Sequence, residues 1–119
     1  MSATAITLFF GDLEHAFDLA QPEIVRELEA KTGVGIGALV QRVVHTREFA
    51  HADLEHTIRL GLIGGGMSPK IAAGLVANYL PVQPLAETMI VAVNVLTALW
   101  FGVTPAETSP ERIMNETAE

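Results

Sequence analysis

The sequence contains no cysteine and few basic residues, since Lys and Arg together number only 7 in 119 residues. The absence of cysteine excludes disulfides, thiolate metal ligands and thiol nucleophiles, and it favours a cytoplasmic location. Asp and Glu number 14, so the formal net charge is −7. Nucleic-acid binding ordinarily needs a basic surface that displaces phosphate counterions. We therefore expect no nucleic-acid partner.

Long apolar runs are also lacking. The longest stretch covers residues 89–103 and is interrupted by Asn94 and Gly102. A membrane span needs ~20 consecutive apolar residues, so we expect a helix buried in protein and no membrane partner. The opening residues carry no positive side chain of the kind that begins a signal peptide. Hydrophobic residues still make up 50% of the chain, enough for the core of one domain.

Strand-forming residues open the sequence. Residues 6–10 are Ile-Thr-Leu-Phe-Phe, Gly11-Asp12 is typical of a short hairpin loop, and apolar residues then alternate with others up to Leu19. The pattern predicts a β-hairpin over about residues 5–19. A one-residue slip that exchanges Phe9 for Phe10 is the alternative register. The side chains expected to face the core are Leu8, Phe10, Phe17 and Leu19.

Apolar residues at helical spacing, punctuated by Pro, Ser and Gly, follow the hairpin. In the fourth predicted helix, the expected buried stripe is Ile71, Leu75, Val76 and Tyr79. The predicted fold class is mainly α (α+β), with an N-terminal β-hairpin packed on a bundle of about five helices. One domain is expected over about residues 1–103, followed by a polar, flexible tail over 104–119. The helices are expected over about residues 22–32, 36–45, 52–63, 69–80 and 84–101.

The residues closest to a catalytic or metal site are the histidines around the third helix. His51 and Glu55 share a helical face with Asp53 nearby, but His51 and His56 point about 140° apart. A solvated helix face is the simpler interpretation. The glycine-rich segment 61–70 lacks the Gly-Lys-Ser/Thr ending of a phosphate-binding loop, and Gly-x-Ser-x-Gly is absent. We expect no catalytic residue, metal site, cofactor or enzymatic activity.

The fifth predicted helix is apolar on most sides. Its residues advance by about 100° and cannot all face the core, so the remainder is a candidate surface for a partner. Burial of the whole helix within its own domain is the alternative. An exposed stripe predicts self-association into a homo-oligomer through a symmetric patch. The expected core-facing residues are Leu85, Met89, Ile90, Val93, Leu96, Leu99 and Trp100, and the candidate partner-binding residues are Val91, Val95, Trp100 and Phe101.

Two stretches of the sequence resemble a known family. One is HAFDLAQPEIVRELEAKTGVGIGALVQRV at residues 15–43, and the other is IRLGLIGGGMSP at residues 58–69, which an apolar helix follows. The family pattern has a Leu/Glu-rich helix, then a Gly-x-Gly break, then a Leu-Gly-Leu segment. The residues at these positions are, in the same order, Leu28-Glu29, Gly33-Val34-Gly35 and Leu60-Gly61-Leu62. The chain thus resembles the gene-transfer-agent family of small phage-type proteins, described as tail assembly chaperones or tail tube-associated proteins.

The resemblance implies a non-enzymatic tail assembly chaperone that binds tail tube or tape-measure protein during tail morphogenesis. Such a protein would be cytoplasmic or associated with phage-like particles. A structural subunit of the tail tube is the alternative, although tube proteins are usually dominated by strands and one hairpin is predicted here. A helix-turn-helix regulator built from the third and fourth helices is more remote, because Lys70 is the single cation of its recognition helix.

Overall fold

The computed structural model describes residues 3–103, which form an N-terminal hairpin and five helices. The predicted fold class and the predicted order of elements are confirmed. The expectation of a flexible tail over residues 104–119 lies outside the described residues. The elements are β1 (Ile6–Phe10), β2 (Leu13–Phe17), α1 (Pro22–Thr32), α2 (Ile36–Val40, continued by the π turn Gln41–His45), α3 (His51–Gly64), α4 (Pro69–Tyr79, continued by the 3-10 turn Leu80–Val82) and α5 (Leu85–Phe101).

The two strands pair antiparallel in the register that alternation predicts. Ile6 lies opposite Phe17 and Phe10 lies opposite Leu13, while Gly11 takes the left-handed φ of 73° that the tight loop requires. Phe10 and Phe17 are buried in the core, and Phe9 on the opposite face is 62% exposed. The slipped register is therefore wrong.

Sequence punctuation marks both ends of α1 and the start of α4. α1 starts with Pro22 and ends at Thr32, and the following Gly33, with a φ of 79°, donates its N–H to the carbonyl of Glu29. At the start of α4, the Ser68 hydroxyl accepts a hydrogen bond from the Ile71 amide at 3.3 Å. These local signals explain why α1 begins and ends, and why α4 begins, at these residues.

The buried stripe predicted for α4 is wrong at one end. Ile71 is 62% exposed, and Ala72 and Val76 are the buried residues of this helix instead. α4 packs chiefly on α3. Because a helix with one neighbour buries only a narrow stripe, Ile71 lies outside it.

The hairpin rests on the C-terminal half of α3, where glycines replace side chains. The Asp18 amide donates to the carbonyl of Gly61 at 3.0 Å. A β-carbon at Gly64 would overlap the carbonyl oxygen of Asp18, and one at Gly65 would overlap that of Ala16. The glycine-rich segment thus provides close backbone packing between α3 and β2, a role the sequence analysis missed. Glycines at 61, 64 and 65 share one helix face, and that spacing was the available signal.

Candidate interaction surface

Helix α5 is rotated relative to the expectation from its sequence. Val91 and Val95, proposed as partner contacts, are only 9% and 1% exposed and belong to the core. Three residues expected to face the core are exposed instead: Leu85 and Ile90 are each 55% exposed, and Trp100 is 50% exposed. Contacts with other elements determine the orientation of α5, since α3 and β1 cover one side of this helix and the π turn covers another. The residues that α5 buries are Thr88, Val91, Ala92, Val95, Leu96 and Ala98.

The outward side of α5 carries no charge over most of its length. Ile90 is 55% exposed, Trp100 50% and Phe101 71%, with the partly exposed polar residues Asn94 and Thr97 between them. No Asp, Glu, Lys or Arg occurs from residue 88 to residue 103. Two of the four predicted contact residues, Trp100 and Phe101, therefore lie where a partner can reach them.

Strand β1 lies alongside this helix and runs in the opposite direction. At one end, the Val103 amide donates to the carbonyl of Ala3. At the other end, Phe9, Glu87 and Ile90 line a common cleft. The exposed Phe9 adjoins the outward residues of α5 at Ile90. These exposed residues, Phe9, Ile90, Asn94, Thr97, Trp100 and Phe101, are called here the α5–β1 surface.

Sequence reasoning did not include Phe9 in this surface. The alternation of the hairpin predicts that one aromatic side chain of the Phe9-Phe10 pair points outward. The alternation carries no information about which helix lies beside that side chain. The position of β1 along α5 depends on long-range packing, which no local pattern encodes.

The candidate metal ligands around α3 diverge. Asp53 is buried, accepts from the Ala50 amide at 2.9 Å and pairs with Arg42 at 2.7 Å, whereas His51 is exposed. Within residues 3–103, no group of three or more His, Asp or Glu side chains is arranged to hold a metal ion. Asp53 is the N-terminal anchor of α3, because its carboxylate satisfies a free backbone amide and neutralises Arg42.

His56 lies at a different place on the same helix. Its Nδ1 lies 3.1 Å from a guanidinium nitrogen of Arg59, an arrangement in which the neutral ring accepts a hydrogen bond. Partial burial, reinforced by the charge of Arg59, lowers the pKa of His56, while Glu55 and Glu27 act in the opposite direction. The side chain therefore stays neutral to lower pH than an ordinary histidine.

No helix in the described part of the chain has the length and apolar character needed to cross a bilayer. The described residues 3–103 thus combine a helical core with one exposed, uncharged surface and no cluster of metal-binding side chains.

Comparison with known proteins identifies one family. Neither the curated proteins nor the solved structures include a match to this chain. A family model described as phage tail tube protein, GTA-gp10, matches residues 3–102, which include the hairpin and all five helices. The resemblance to gene-transfer-agent tail proteins is confirmed, and the chain belongs to the GTA-gp10 family of phage tail tube proteins.

Proposed function

We propose that this chain is a tail assembly chaperone, a non-enzymatic protein that binds a tape-measure or tail tube protein in the cytoplasm until the tail assembles. Membership of a phage tail family supports a role connected with the tail. That family is a structural one rather than a class of enzymes. The finer assignment, to a chaperone, rests on the surface of this particular chain.

The α5–β1 surface is the observation that carries the proposal. The chain has a net charge of −7, yet three large apolar side chains of one helix, Ile90, Trp100 and Phe101, are at least half exposed. The exposed Phe9 lies next to Ile90 at one end of this helix. Contiguous exposed apolar patches commonly mark sites of protein association. Large aromatic side chains are also the ones that most often anchor such contacts. An apolar tail protein is the client that this surface would keep from aggregating.

Co-expression tests the proposal directly. The tape-measure protein of the same gene transfer agent should become more soluble with this chain and should co-purify with it. Phe101→Asp should lose most of that effect. The matched control is Ile71→Asp, which places the same charge on a similarly exposed residue of α4, outside the α5–β1 surface, and should act like the wild type. No complex and no gain in solubility with the wild type would contradict the chaperone.

A structural subunit of the tail tube is the second candidate, and membership of a family of phage tail tube proteins favours it. Quantitative mass spectrometry of purified particles separates the two. A chaperone should be absent from finished particles or present in trace amounts. A tube subunit should occur in many copies per particle, in a fixed ratio to the other tail proteins.

A further inference from the structure

We propose that the free edge of β1 binds an extended segment of a tail protein as an added β-strand, which lies over the outward side of α5. The segment is uncharged along most of its length and carries Lys or Arg at the end beside Phe9. This inference rests on the proposed chaperone function, because it describes how the client would be held.

The pairing pattern of the hairpin shows which backbone groups are free. Phe10 and Leu13 flank a loop of two residues, so these two exchange hydrogen bonds, and the bonded pairs then alternate along the ladder. The N–H and C=O groups of Thr7 and Phe9 consequently point away from β2. In the described part of the chain, no hydrogen bond reaches these outward groups. An exposed strand edge of this kind can pair with another chain.

The described chain ends close to the start of β1, where the Val103 amide donates to the carbonyl of Ala3. The sequence after Val103 carries four Glu and one Arg. Like charges would oppose its pairing beside Glu14 and Glu87, which favours a segment of another protein at this edge.

The helices beneath the hairpin leave room for one added strand. β2 packs on α3 and β1 packs on α5. Packed helices lie ~8–10 Å apart, while paired strands lie only ~4.8 Å apart, so the helices are spaced more widely than the strands above them. The free edge of β1 and α5 share a cleft lined by Phe9, Phe10, Ile90 and Val91, which offers a floor for an added strand. A second copy paired through the same edge would bring no basic residue from β1, which contains no Lys or Arg. An extended segment of a partner therefore fits better than a second copy.

The charges around the edge define the chemistry of the occupant. The floor formed by Ile90, Asn94 and Phe101 is uncharged, which favours apolar or small polar side chains. Glu87 lies in the cleft beside Phe9, and Glu14 is the exposed cross-strand neighbour of Phe9. The residues that line this cleft include no Lys or Arg. A basic residue at this end of the added strand would complement both carboxylates.

The test uses the synthetic peptide Lys-Thr-Val-Thr-Val-Thr-Lys, which carries a basic residue at both ends and so suits either strand direction. Amide hydrogen exchange, followed by NMR, should slow at Thr7 and Phe9 by at least about ten-fold at saturating peptide, because these amides gain partners. The amide of Leu8, already bonded within the hairpin, should change little. A peptide with Glu in place of both Lys should bind about five-fold more weakly, the effect of one exposed ion pair.

Two further variants test the backbone bond itself. Thr7→Pro removes one outward N–H without removing a bond to β2, as edge strands tolerate, and it should abolish peptide binding. Thr7→Val, which keeps the amide, should bind like the wild type. If Thr7→Pro unfolds by circular dichroism, a peptide N-methylated at alternate residues makes the same test on the wild-type protein and should fail to bind.

The outcomes separate this inference from the chaperone proposal. Two results would overturn the added-strand inference. One is that the peptide leaves amide exchange at Thr7 and Phe9 unchanged. The other is that these amides become protected without peptide as the protein concentration rises, since that would mean that the edge pairs with a second copy. A tape-measure complex that forms equally well with Thr7→Pro would leave the chaperone intact and reject the edge. Peptide binding with full protection, but no complex with any tail protein, would retain the edge and reject the chaperone.

Discussion

The carbonyl oxygen of Asp18 occupies the space that a β-carbon on Gly64 would need. This relationship joins the end of the hairpin to the last turn of α3. The same helix face brings Gly61 within hydrogen-bond distance of the Asp18 amide. The position of β2, and through it the position of β1 beside α5, therefore depends on small residues in α3.

Adding a methyl group at this contact should be costly. Gly64→Ala should lower the free energy of unfolding by about 3 kcal/mol, because the backbone of Asp18 must move and the hairpin must shift. Gly74→Ala is the control, since this glycine lies inside α4 with no atom near the added carbon. It should raise stability by up to ~1 kcal/mol through helix propensity. Urea unfolding measures both, and equal effects of the two substitutions would contradict the contact.

The two faces of the hairpin should differ sharply in their response to truncation. Phe17 is 0% exposed, so Phe17→Ala should destabilise the protein by about 3–5 kcal/mol through lost burial and a cavity. Phe9→Ala, on the exposed face, should change stability by less than about 0.5 kcal/mol. A small effect at Phe17 in chemical denaturation would show that the hairpin does not pack on the helices as described.

Much of the fold could be predicted because its signals are local. The alternation around Gly11-Asp12 specifies a hairpin with one buried face, and Pro22, Gly33 and Ser68 mark helix ends through their backbone chemistry. These signals involve residues within a few positions of one another, so packing elsewhere in the chain does not override them.

The orientation of α5 could not be predicted in the same way. Nearly every position of this helix is apolar, so the hydrophobic pattern has no preferred direction. Of the four candidate contact residues, Trp100 and Phe101 are exposed, whereas Val91 and Val95 are buried. The pairing of Arg42 with Asp53 also depends on how α2 approaches α3, which no local spacing reports.

Removing one partner of the Arg42–Asp53 pair should be costly, because Asp53 is buried. Arg42→Met should lower the free energy of unfolding by about 3 kcal/mol, since it leaves the carboxylate without its charged partner. Arg26→Met, at an exposed position of α1, should change it by less than about 0.5 kcal/mol. In a double-mutant cycle, adding Asp53→Asn to Arg42→Met should cost less than the sum of the single effects. Strict additivity would show that the two side chains do not interact.

His56 should make the protein less stable as the pH falls below about 6.5, the ordinary imidazole value. Its pKa is lowered in the folded state by burial and by Arg59, so the unfolded chain takes up the proton first. The contribution is fully present above that pH and is lost as the pH falls toward the lower pKa of the folded state. His56→Gln should flatten this part of the stability profile between pH 7.5 and 5.5, a range of about one unit either side of the unperturbed value. His51→Gln, at an exposed position of α3, should leave the slope in place.

An aspartate placed on the two sides of α5 should separate folding from association. Val95 is 1% exposed and touches the hairpin side of the core, so Val95→Asp buries an unpaired charge and should unfold the protein. Phe101 is 71% exposed, so Phe101→Asp should keep the helical circular dichroism and change stability by less than about 0.5 kcal/mol. The same variant should reduce any self-association of the free protein, because like charges would then meet on an apolar contact. Analytical ultracentrifugation at increasing protein concentration measures that effect. If the wild type stays monomeric at every concentration, the α5–β1 surface binds only other partners. If the Val95→Asp protein folds, the burial of that side chain is contradicted.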